Sequence, residues 1–131
     1  MKTLIPKLRL LLLCFCGIVY LLWTERVMPW NREEAIATTL LWGGLAAIPP
    51  EAHDIEVRTQ GGMFSRKFLV HFECSPAAIN DWLRTSKPIK NIQAELKGHK
   101  RVYRIYPGEV GSLGGKVEIN GEEVEIAMSW S

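Results

Sequence analysis

The stretch Phe64-Ser65-Arg66-Lys67-Phe68-Leu69-Val70-His71-Phe72-Glu73-Cys74 decides the fold. Phe64, Phe68, Val70, Phe72 and Cys74 lie on one side of a period of two. Ser65, Lys67, His71 and Glu73 lie on the other. Successive side chains of a strand point to opposite faces, so the stretch reads as a long strand with one buried face. Arg66 interrupts the apolar set beside a turn, where an edge tolerates it.

Outward from this strand the pattern continues on both sides. Ile55-Glu56-Val57-Arg58-Thr59 alternates at period two, and Gly61-Gly62 reads as the hairpin turn between the two strands. Ser75-Pro76 supplies an N-cap and a first helical residue. Pro76 to Thr85 then carries Ile79, Trp82 and Leu83 on one helical stripe. Thr85 to Lys90 reads as a loop broken by Pro88, and Asn91 to Leu96 fits no single pattern. Arg101 to Tyr106 predicts a strand ended by Pro107. Pro107 to Gly115 reads as a flexible glycine-rich connector. A two-residue loop at Gly121-Glu122 pairs Ile119 with Val124 and Val117 with Ile126, which matches apolar faces. Trp130 continues that buried face.

Upstream, Asn31 and Glu34 have the spacing of a capping box. Ile36, Leu40, Leu41 and Leu45 fall along one side of a helix from Arg32 to Trp42 or Ala46. Gly43-Gly44 weakens its end and Pro49-Pro50 stops it. The expected fold is α+β. An N-terminal transmembrane helix precedes a small domain with a mainly antiparallel sheet and two helices, in the order α-β-β-α-β-β-β.

The first thirty residues read differently from the rest. Lys2, Lys7 and Arg9 precede a charge-free apolar run from Leu10 to Trp23. Positive residues before an apolar run are the pattern of a signal anchor. Extended to residues 8–25, with Arg9 snorkelling to the headgroups and Tyr20, Trp23 and Trp30 near the outer interface, the run is expected to cross a bilayer once. Small residues at leader-cleavage positions are lacking, so an uncleaved anchor is the expectation. The positive-inside bias then puts the N-terminus in the cytoplasm and residues 31–131 in the periplasm or outside the cell.

Charge and cysteines exclude several function classes. Of 16 basic residues three precede the apolar run, so the remaining 13 face 14 acidic ones. A near-neutral domain argues against nucleic acid as a partner. Three cysteines, two of them in the apolar run, give neither a disulfide framework nor zinc-type CxxC spacing. Cys74 reads as a small buried apolar side chain. No nucleotide or nucleophile-elbow motif surrounds Ser112.

Two constellations carry chemistry. His71 and Glu73, two apart on a strand, share a face, and His53 and Asp54 open the neighbouring strand. Imidazole and carboxylate groups so placed suit a metal ion or an acid–base pair. The metal candidates are His53, His71 and Glu73, set against a plain polar outer face. No catalytic residue and no cofactor is assigned. The second constellation is basic: Arg84, Lys87, Lys90, Lys97, Lys100, Arg101 and Arg104, with His99, stand against Glu95 alone over residues 84–104. It suits an anionic lipid surface or an acidic envelope polymer. Acids of the last hairpin, among them Glu118, Glu122, Glu123 and Glu125, also suffice to balance it.

Several segments resemble small bacterial proteins with an N-terminal anchor and no assigned activity. They are Thr39-Leu40-Leu41-Trp42-Gly43 before Ile48-Pro49-Pro50, residues 62–68, Asp81-Trp82-Leu83 and Ser129-Trp130-Ser131. The resemblance brings no activity with it. The expected function is a membrane-anchored envelope protein with a binding or interaction domain for lipid, polymer or protein. The alternatives are a small metal-dependent hydrolase using His53, His71 and Glu73, or a structural subunit of a membrane complex.

Overall fold

The computed structural model describes residues 4–23, 31–61 and 64–131. Its elements are α1 (Leu4–Trp23), α2 (Arg32–Gly43), β1 (His53–Gln60), β2 (Arg66–Glu73), α3 (Pro76–Thr85), α4 (Lys87–Lys90), β3 (Glu95–Lys97), β4 (Lys100–Ile105), β5 (Gly114–Asn120) and β6 (Glu123–Trp130). The six strands form one antiparallel sheet in the order β1-β2-β6-β5-β4-β3. The last hairpin has the expected register, with Ile119 opposite Val124 and Val117 opposite Ile126.

One face of the sheet is the core. Val70, Phe72, Val117, Ile119, Val124, Ile126 and Met128 are at most 1% exposed. Helices α2, α3 and α4 cover that face through Ile36, Leu40, Ile79, Trp82, Leu83 and Ile89. Trp82 meets Phe72 edge-on, its ring centroid 5.7 Å away, and its indole N–H donates to the Ala46 carbonyl at 2.9 Å. The other face of the sheet carries no helix among the described residues and is mostly charged.

Local sequence sets the helix ends. Ser75 caps α3, its hydroxyl accepting from the Ala78 amide at 3.3 Å, with Pro76 at the first helical position. Helix α2 ends at Gly44, whose φ of 61° is left-handed. The Leu45 amide then donates to the Leu40 carbonyl at 2.8 Å and the Gly44 amide to the Leu41 carbonyl at 3.1 Å. These two bonds make a Schellman stop, which a β-carbon would strain. Gly44 thus defines the end of α2, where a weakened end is the expectation from sequence. Asn31 makes no side-chain capping bond.

The membrane expectation is corrected. No helix among the described residues is long and apolar enough to cross a membrane. Pro6, Lys7 and Arg9 occupy the first turns of α1. Its charge-free part, Leu10 to Trp23, rises only ~21 Å at ~1.5 Å per residue, against a hydrocarbon core of ~30 Å. Thr24 to Trp30, on which the outer end of the expected crossing draws, lie outside the described residues. The transmembrane signal-anchor and the single-pass topology with a cytoplasmic N-terminus and an outer domain fall with it.

Three smaller expectations also change. Phe64 is 82% exposed instead of extending the buried face, because β2 begins only at Arg66. Residues 87–90 form the short helix α4 where a loop is expected. Pro107 to Leu113 is a compact turn docked on α2. The Glu109 amide and the Ser112 hydroxyl both donate to the Trp42 carbonyl, at 2.7 and 3.2 Å.

Candidate metal centre

The corner where β1 meets the end of β2 gathers His53, Asp54 and Glu73. In a regular strand His53 and Asp54, being adjacent, would point to opposite faces. Here the β1–β2 register shifts between His53 and Glu56, and Asp54 has a left-handed φ of 52°. Aspartate tolerates that conformation better than most residues. The irregularity turns the Asp54 carboxyl to the side where His53 stands opposite Glu73 in register.

The three side chains offer ligand atoms that all lie within 4.8 Å of one another. His53 Nε2 is 3.4 Å from Glu73 Oε2. His53 and Asp54 are exposed and Glu73 is partly exposed, so an ion held there keeps coordination positions open to solvent. The Glu73 pKa is raised above its ordinary range. A hydrogen bond with the Asp54 carboxyl is the main cause, followed by burial and by the charge of Asp54. His53 pulls the other way, while Glu123, across from Glu73 on β6, adds to the rise. Two carboxyl groups so close repel each other when ionised, and a cation between them relieves that repulsion.

Of the candidates expected from sequence, His53 and Glu73 come together, and Asp54 joins them. His71 does not. It lies one step along the strand, opposite Glu56 on β1 and Glu125 on β6. There it lines a shallow depression of about 170 Å³ with Glu56, Arg58, Leu69 and Glu125. No signal in the sequence reveals the bulge that turns Asp54 toward Glu73.

The basic constellation does not form one surface. Arg84 lies on α3 and is paired with Asp81. Lys87 and Lys90 lie on α4 in the helical layer. Lys97 and Lys100 flank the β3–β4 turn. Arg101 shares the core-side parity of Tyr103 and Ile105, and Arg104 lies on the open face. Lys100 is 4.0 Å from Glu118, and Arg104 is 3.2 Å from Glu95. The first of these pairs involves an acid of the last hairpin, as the balanced reading expects.

Comparison with known proteins brings no relative: no family model, no curated protein and no solved structure matches the chain.

Proposed function

We propose that this domain is a binding module whose ligand is a divalent transition-metal ion held by His53, Asp54 and Glu73. The observation that carries the reading is the convergence of one imidazole and two carboxylates within 4.8 Å. That donor set suits zinc or a neighbouring first-row ion better than calcium or magnesium, which take oxygen ligands. Three protein ligands leave room for water or an outside group at the ion. Binding requires both carboxyls ionised and His53 neutral, so uptake releases protons and weakens as pH falls.

Calorimetric titration of the full chain with zinc chloride tests this. The background carries Cys14→Ser, Cys16→Ser and His99→Ala, because those exposed side chains offer competing donors. One equivalent of zinc is expected, with affinity reduced at least ~10-fold, or ~1.4 kcal/mol, in His53→Ala and in Glu73→Gln. Undiminished binding in both variants, or no uptake by the parent, sinks the reading.

A further inference from the structure

The open face of the sheet has an order that a solvated surface does not need. Cross-strand register runs one row over all six strands: Glu56, His71, Glu125, Glu118, Val102 and Glu95. The next row, two residues along each strand, is Arg58, Leu69, Ala127, Lys116 and Arg104. The first row holds four carboxylates and the second three cations. Apolar side chains occupy part of both rows. Leu69 is half-buried, and Ala127 and Val102 are buried. Parallel stripes of opposite charge give this face the charge complementarity that a contact between two like surfaces needs.

A two-fold axis lying across the strands, between the two rows, turns this pattern onto itself. The acidic row of one copy then faces the basic row of the other, strand over strand. A two-fold contact must be self-complementary in this way. We propose that the open face is the interface between two copies of this chain, packed sheet on sheet. Within one copy the stripes are held by pairs between neighbouring rows: Arg58 with Glu56 at 3.5 Å, Lys116 with Glu118 at 2.7 Å and Arg104 with Glu95 at 3.2 Å. These pairs pre-set the side chains for their counterparts in the second copy. Neither row contains a residue of the metal centre, so the inference stands apart from that reading.

Charge exchange tests it on the full chain, using two differently tagged copies and co-purification. One variant makes both rows acidic (Arg58→Glu, Arg104→Glu, Lys116→Glu). The other makes the acidic row basic (Glu56→Lys, Glu95→Lys, Glu118→Lys). Wild-type copies are expected to co-purify, each variant to self-associate at least ~10-fold less, and the two variants mixed together to recover association. Absence of wild-type co-purification, or variants that self-associate as the wild type does, overturns the proposal. Salt provides a readout that needs no substitution. Association through the stripes weakens as ionic strength rises from ~0.05 to ~0.5 M, because exposed charges are screened. Association through exposed apolar surface does not weaken with salt, so unchanged or stronger association in salt also overturns it.

Discussion

At the scale of single residues, the metal corner is a balance of repulsion, and Asp54 is its lever. Its carboxyl holds the Glu73 pKa above the ordinary range. A carboxyl whose folded pKa is raised contributes stability that is complete below its unfolded value and is lost as pH rises through the folded one. The metal-free chain therefore loses stability as pH climbs above the ordinary carboxylate range. Asp54→Asn removes the repulsion while keeping a residue that accepts left-handed φ. The expected outcome is a higher melting temperature at neutral pH without metal, a flatter pH dependence of melting, and weaker zinc binding. Thermal scans from pH 4 to 8, without and with zinc, check all three; an unchanged slope in the metal-free scans refutes the account of Glu73. Glu118 has the opposite sign. The Lys116 hydrogen bond holds its pKa low, so its contribution is present at neutral pH and is lost as pH falls through the folded value. The donor types of this corner were legible in the sequence, because residue identity and strand parity put His71 and Glu73 on one face. Their selection was not. Which histidine meets Glu73 depends on a bulge, and a bulge leaves no periodic trace.

At the scale of elements, the strands whose two faces differ most were the legible ones. Strand β2 and the β5–β6 hairpin follow from alternation, because burial of one face penalises a slip of one residue. The short elements β3 and α4 were not legible, since three or four residues carry no period. Gly114 and Gly115 show the same limit. As sequence they resemble a connector, yet they open β5 opposite Ser129 and Met128. A β-carbon on Gly115 would collide with the Ala127 carbonyl, a backbone atom that cannot move alone. Gly115→Ala is expected to cost ~1–3 kcal/mol, the usual penalty of overpacking. Gly44→Ala is expected to cost at least ~1 kcal/mol, through its left-handed φ and through a β-carbon that would stand 2.9 Å from the Pro88 ring. Urea denaturation separates the two, and equal midpoints for Gly115→Ala and the parent would show that β5 and β6 part freely there. The edges are managed differently. Strand β3 is short and ends in Lys97. On β1 the bulge disturbs one end, and the Arg32 guanidinium donates to the Ile55 carbonyl at 2.6 Å. Both devices discourage edge-to-edge pairing, so a second copy meets the open face more readily than a strand edge.

At the scale of the molecule, the sheet and its three covering helices are complete without α1. The buried cluster and the apolar residues packed on it begin at Ile36, and none lies in α1. Large apolar side chains of α1 from Leu4 to Tyr20 are exposed, several above 60%. A helix whose apolar side chains are largely exposed among the described residues gains little stability from tertiary packing, which is where most helix stability in proteins originates. Removal of residues 1–30 is therefore expected to leave the melting transition of the remainder within ~2 °C of the full chain, since α1 adds no residue to the core among the described residues. Zinc uptake at His53, Asp54 and Glu73 should persist with it. The truncated chain should also aggregate less in aqueous buffer, because exposed apolar patches of this extent drive non-specific association. Circular dichroism melting and light scattering of the two chains side by side provide the check. A truncated chain that melts many degrees lower, or that loses its zinc site, would mean that α1 shares in the core and that the fold cannot be divided at residue 31.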